Sequence, residues 1–175
     1  MMIEKNIYII GPMGAGKSTV GQQLARALKR PFYDTDREVE RQTGVDLSWI
    51  FDVEGEEGFR HREAATLQEL VKLSGAVIAT GGETVLKASN RELLKTTGHV
   101  IHLTTNLDQQ FERTARNQYK RPSLRGDDSY ERIINFSEER GHLYREIAEA
   151  TFESNHRNVS QVVKELLKHI KKIGW

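Results

Sequence analysis

Nine consecutive residues, Gly11-Pro12-Met13-Gly14-Ala15-Gly16-Lys17-Ser18-Thr19, carry the spacing of a phosphate-binding loop. Glycines let successive backbone N–H groups converge on phosphate oxygens, and a helix that follows presents its positive end to the same anion. The candidate nucleotide-binding residues are therefore Gly14, Ala15, Gly16, Lys17, Ser18 and Thr19. Lys17 would reach the terminal phosphates and the Ser18 hydroxyl a magnesium ion. The loop needs a strand before it and a helix after it, and it has both: Ile7-Tyr8-Ile9-Ile10 is apolar, and Val20 to Leu28 has helical spacing. The chain is read as binding a nucleoside triphosphate with Mg2+.

Other chemistry falls where further strands would end. Asp34 and Asp36 follow the short apolar Phe32-Tyr33; two carboxylates at a nucleotide site can divide labour, one near the metal and one on a substrate hydroxyl. The alternative is that Asp36 merely caps the next helix while Asp34 is solvated. Gly81-Gly82 could bring backbone amides close to an anion, or could simply make a turn. Arg113, Arg116, Lys120, Arg121 and Arg125 cluster without an acid around Pro122, as a closing lid over about 113–128 or as a solvated basic surface. Arg60 and Glu63 are spaced to pair on one helix, ordinarily a surface ion pair. Spacing alone does not assign Arg140.

These residues must be positioned by alternating strands and helices. Strands are expected at 32–34, 76–79, 99–103 and 151–153 besides the first, and helices at 20–28, 36–42, 54–73, 107–113, 130–150 and 159–173. Gly44 and Gly75 are placed as helix stops. Such alternation specifies a parallel sheet covered on both faces, with ligands beyond the carboxyl ends of its strands.

Composition excludes several classes. The 175 residues fit one domain, 1–175, and the sequence is 37% hydrophobic and 29% charged with a net charge of +1, which gives no global field for nucleic acid or a membrane surface. No apolar run approaches the ~20 residues of a membrane span. Without cysteine there is no thiolate metal site and no cysteine nucleophile. The N-terminus lacks the basic-then-apolar order of a secretion signal, and a cytoplasmic location is expected.

Taken in order, the segments GPMGAGKSTVG, FYDTD, IFDVEGEEGFRHRE, ATGG, RTARNQYKRPSL and ERGHLYREIA resemble the shikimate kinases over nearly the whole chain. The resemblance implies an α/β fold of the nucleoside-monophosphate-kinase type, with a five-stranded parallel sheet in the order 2-3-1-4-5 and a mobile lid. It implies ATP-dependent phosphorylation of the 3-hydroxyl of shikimate, in aromatic amino-acid biosynthesis, by a monomer. By position, Asp36, Arg60 and Arg140 look like the shikimate-binding residues within an acceptor region of about 34–63 and beyond, with Gly82 adding a backbone amide. Asp36 is also the candidate base, and Glu63 the acid that orients Arg60. Ser18 looks like the direct magnesium ligand and Asp34 like the one acting through water. Lys17 and Arg121 match the residues that reach the phosphates, and Arg113 and Arg157 those that sandwich adenine.

The chain departs from the family pattern at Glu83, where a third glycine is usual, at His142, in place of a proline, and at Ser123, in place of a leucine. A Glu83 carboxylate pointing into the site would repel the substrate's, so its side chain is expected to turn outward or to pair with a cation. Two other readings compete with the main one: a related kinase of a hydroxylated acid such as gluconate, and a nucleotide-binding module that has lost its acceptor.

Overall fold

A computed structural model of the chain describes residues 4–116 and 129–174. Among these, five strands are hydrogen-bonded in the order β2-β3-β1-β4-β5, and every neighbouring pair is parallel. The strands are β1 (Asn6–Ile10), β2 (Phe32–Asp34), β3 (Val77–Ala79), β4 (Gly98–Thr104) and β5 (Ala150–Glu153). The helices are α1 (Lys17–Leu28), α2 (Thr35–Thr43), α3 (Leu47–Leu70), α4 (Ala88–Thr97), α5 (Leu107–Ala115), α6 (Ser129–Ile147) and α7 (Val159–Lys172). The sheet order is the one the resemblance implied.

Strand β1 is central and buried along its whole length, as a continuous apolar run in a parallel sheet must be. Its residues alternate between two cores. Ile7 and Ile9 pack with Leu24 of α1 and with Val162, Leu166 and Ile170 of α7. Tyr8 and Ile10 pack on the opposite face with Leu67 of α3, Leu94 of α4 and Ile147 of α6. The spacing of the buried residues of α7 is that of one helical stripe, and its start is fixed by a capping box between Asn158 and Gln161. A third, smaller cluster of Val39, Ile50 and Phe59 joins α2 to α3 on both sides of Gly55.

Three features differ from the expectation. Helix α3 begins at Leu47, not near 54, and its regular geometry is broken at Gly55, which has φ 72° and ψ −179°. That backbone region is essentially reserved to glycine, so two helical pieces meet there. The first piece shows a weak pattern because Trp49 and Val53 are 48% and 60% exposed. Helix α4 and the single 3-10 turn Thr84–Leu86 before it follow the Gly81-Gly82 turn without a sequence signal. The α4 cap, Lys87, makes no side-chain hydrogen bond, and only Asn90 and Leu94 are buried. Finally, Asp34 rather than Asp36 caps α2: its Oδ1 accepts from the amides of Asp36 at 3.0 Å and Arg37 at 3.2 Å. The expected lid lies outside the described residues from 117 onward.

Candidate active site

The carboxyl ends of β1, β2 and β3 open into one cavity of about 490 Å³, lined on one side by the glycine loop and on the other by Asp36, Arg60 and Gly81. The loop leaves β1 and ends at Gly16, which caps α1 without contributing a side chain to the first-turn amides. Those amides and the helix dipole are thereby presented to an anion. Gly14, Gly16, Lys17, Ser18 and Thr19 line the cavity, whereas the Ala15 side chain is buried in the core and only its backbone can serve the loop. Lys17 is folded onto the loop, its Nζ donating to the Pro12 carbonyl at 2.8 Å.

Ser18 Oγ donates to Asp34 Oδ2, so the hydroxyl at the start of α1 and the carboxylate at the end of β2 meet. Asp34 thus has one oxygen committed to the α2 cap and the other to Ser18. Both are hard oxygen donors, the kind magnesium takes when most of its other ligands are phosphate and water. Among the described residues no cluster of three or more His, Cys, Asp or Glu side chains is placed to hold a metal by itself.

The acceptor side is built on Glu63, which is 1% exposed. Its Oε1 accepts from Arg60 Nη1 at 2.9 Å and its Oε2 from Thr84 Oγ1 at 3.0 Å. The Arg60–Glu63 pair is therefore an oriented one on a buried carboxylate, with Arg60 half-buried, and not the surface pair its spacing alone would indicate. The Gly81 amide donates to Thr35 Oγ1 at 2.9 Å. A Cβ at Gly81 would lie 2.8 Å from Asp36 Oδ1 and 3.0 Å from Glu63 Oε2, so the absence of a side chain lets these two carboxylates converge beside the turn. Gly82 lines the cavity as well, and its carbonyl accepts from the buried Tyr144 hydroxyl at 2.5 Å.

Glu83 pairs with cations, one of the two outcomes expected for it. Its Oε1 accepts from Arg140 Nη2 at 2.8 Å, and its Oε2 contacts Arg60 Nη2. Arg140, only 4% exposed, lies 3.8 Å from the centre of the Phe136 ring and lines a small adjoining pocket, not the main cavity. Burial pulls its guanidinium below the ordinary arginine value, opposed by Tyr144 and Glu139. Behind it, burial raises the Tyr144 hydroxyl, and the His102 ring stacks on Tyr144 with centroids 5.1 Å apart.

Of the two arginines expected near adenine, Arg113 lines the cavity, and its guanidinium donates to the carbonyls of Gly14 at 2.9 Å and Ser154 at 3.1 Å. Arg157 is not among the lining residues; it pairs with Glu165 of α7 at 2.6 Å. Arg121 lies outside the described residues. Thr35, Thr84 and Tyr144 escape sequence reading because their roles are hydrogen bonds to backbone or to another side chain, which no spacing announces.

The family model described as shikimate kinase matches residues 13–171. A shikimate kinase of Legionella pneumophila is 47% identical over 166 residues, covering 95% of this chain and 94% of that protein. The chain belongs to the shikimate kinase family. The solved shikimate kinase from Acinetobacter baumannii in complex with shikimate superposes with a TM-score of 0.94 at 42% identity, covering 98% of this chain and 95% of that one. A gluconokinase from Sinorhizobium meliloti covers 99% of this chain and 95% of that one but reaches only a TM-score of 0.56 at 18% identity, which shows a shared fold alone. Within the shikimate kinase framework, the site described above has its glycine loop, its acid pair and its half-buried Arg60 in a single cavity.

Proposed function

We propose that this protein transfers the γ-phosphoryl group of ATP to the 3-hydroxyl of shikimate, giving shikimate 3-phosphate and ADP, in aromatic amino-acid biosynthesis. The observation that carries this reading is that Asp36 and Arg60 face the same cavity as Lys17 and Ser18, so a hydroxylated acid and a terminal phosphate can be held side by side. Arg60 and Arg140 take the ring carboxylate with forked donors, and Asp36 accepts from ring hydroxyls.

The bond from the ring oxygen to phosphorus forms as the bond from phosphorus to the ADP oxygen breaks, and the hydroxyl proton passes to Asp36. Lys17 turns from the Pro12 carbonyl to the phosphates, and Arg121 joins it there. The loop amides and these cations stabilise charge as it spreads over the transferring group. Ser18 would hold a magnesium ion directly and Asp34 would hold it through water; when bound, the ion neutralises phosphate charge. Arg113, fixed to the Gly14 and Ser154 carbonyls, borders the nucleotide end. Among the described residues no helix is long and apolar enough to cross a membrane, and we read the enzyme as a cytoplasmic monomer.

A coupled assay of ADP release with shikimate and magnesium, run beside gluconate, tests the reading. Turnover with shikimate and none with gluconate is expected. Folded protein that turns over neither acceptor would overturn it.

A further inference from the structure

We propose that Glu83 is an internal stand-in for the substrate's carboxylate: its side chain occupies the Arg60–Arg140 clamp, and the acceptor binds by displacing it. The inference rests on the acceptor reading above but concerns a residue to which that reading gives no role.

Each Glu83 oxygen meets a different guanidinium, Oε1 that of Arg140 at 2.8 Å and Oε2 that of Arg60. A ring carboxylate held by the same two arginines would use the same two contacts. Both cannot be present. Glu83 and Arg60 line the main cavity and Arg140 lines the pocket beside it, so the Glu83 carboxylate bridges from the cavity to Arg140.

Charge leads to the same conclusion. Arg60 is balanced by the buried Glu63, and Arg140 by Glu83; the further acids at the clamp, Glu56 and Glu139, sit 3.9 Å and 3.8 Å away with side chains 70% and 57% exposed, where water screens them. Asp36, converging on Glu63 beside Gly81, adds a third nearby carboxylate, so the two arginines carry no surplus positive charge while Glu83 is in place. Departure of Glu83 makes the clamp one charge more positive, which favours an incoming anion.

The side chain has no other duty to hold it. Glu83 begins the 3-10 turn, but its carboxylate caps nothing, and the turn is closed by its backbone carbonyl accepting from the Leu86 amide at 3.0 Å. The carboxylate can swing into the open cavity while the backbone of the Gly81-Gly82 turn stays fixed. An acceptor that adds ring-hydroxyl bonds to Asp36 can displace it, whereas a small anion with a carboxylate alone gains too little. Glu83 thereby trades affinity for selectivity.

Glu83→Gln and Glu83→Gly test this in the full chain, by calorimetric binding of shikimate and by steady-state kinetics. Both variants are expected to bind shikimate about five- to tenfold more tightly than the parent, with KM for shikimate lowered and KM for ATP unmoved. Sulfate, a bare anion, is expected to raise the melting temperature of the variants more than that of the parent. Equal or weaker shikimate binding by folded variants would show that Glu83 is a strut for the arginines and overturn the proposal.

If the parent does not use shikimate at all, the acceptor reading fails, and the sulfate arm decides Glu83 separately: an equal shift in parent and variants overturns its role. Should neither variant fold, a crystal structure of the parent with shikimate decides. Glu83 displaced from Arg140 supports the proposal, and a persisting Glu83–Arg140 contact refutes it.

Discussion

Arg60 and Glu63 form a pair in which the buried carboxylate is anchored from its far side: Arg60 Nη1 holds one oxygen at 2.9 Å while Thr84 holds the other at 3.0 Å. The guanidinium is thus aimed by a group that is itself held. Arg60→Ala is expected to raise KM for shikimate by about tenfold or more while leaving KM for ATP near its parent value, since a charge-assisted fork is lost on the acceptor side only. Glu63→Gln keeps the shape but lets the guanidinium wander, and should raise the same KM by a smaller factor. A near-normal shikimate affinity in Arg60→Ala, measured by calorimetry, would remove Arg60 from the clamp.

Lys17 and Asp36 act on opposite partners of the transfer. Lys17→Ala and Asp36→Asn should each lower kcat by about two to three orders of magnitude, the range for removing one stabilising donor or one base. Binding separates them. Lys17→Ala should weaken the nucleotide and Asp36→Asn should not, as read by titration with an ATP analogue.

Gly81→Ala tests the convergence of the carboxylates. A methyl group placed 2.8 Å from Asp36 Oδ1 and 3.0 Å from Glu63 Oε2 must push one of them aside. We expect a lower kcat and a higher KM for shikimate with ATP binding retained, and a loss of about 1–3 kcal/mol in stability from overpacking. Urea unfolding and steady-state kinetics on the same preparation would check both.

His102 sets an acid limit. Burial, helped by the charges of Arg145 and Lys17, holds its pKa at about 4, below the ordinary 6.5. Between those values the unfolded chain binds the proton and the folded one does not. Stability is therefore complete above about pH 6.5 and falls as pH drops towards 4, by up to about 3 kcal/mol. Urea unfolding at pH 7.5 and 4.5 should show the parent losing more than His102→Gln, whose carboxylates titrate in the same way.

The sequence made the nucleotide half of the site legible because the glycine loop is local: nine adjacent residues carry both the geometry and the chemistry. It also placed β2, β4 and β5 to within a residue or two, since short apolar runs between turn signals leave little choice. The acceptor half was less legible. Glu63 and Thr84 meet across 21 residues and Arg140 reaches Glu83 across 57; spacing offered Arg60 and Glu63 only as an ordinary helix pair, the resemblance gave Arg60, Glu63 and Arg140 their roles, and Thr84 went unread. Even there, Glu83 could be named as a departure, but its two partners emerge only from the folded chain. Capping of α2 by Asp36 was the alternative to its substrate role; either acid has the right chemistry, and the backbone path gives the cap to Asp34. Arg157 was placed by position alone, and in the fold it pairs with Glu165 of α7.

The break at Gly55 lies within the smallest of the three cores, between Ile50 and Phe59. Val39, Ile50 and Phe59 form a core of their own, joined to the rest through the second half of α3. So small a cluster contributes only a few side chains of burial, about 1.5–3 kcal/mol each, against the two large cores that grip the sheet. Amides of α2 and of the first piece of α3 will therefore exchange hydrogen with solvent through openings that leave β1 protected. The acceptor end of the cavity can thus reshape around its ligand on a timescale set by a local melting event, while the nucleotide end stays as rigid as the sheet beneath it.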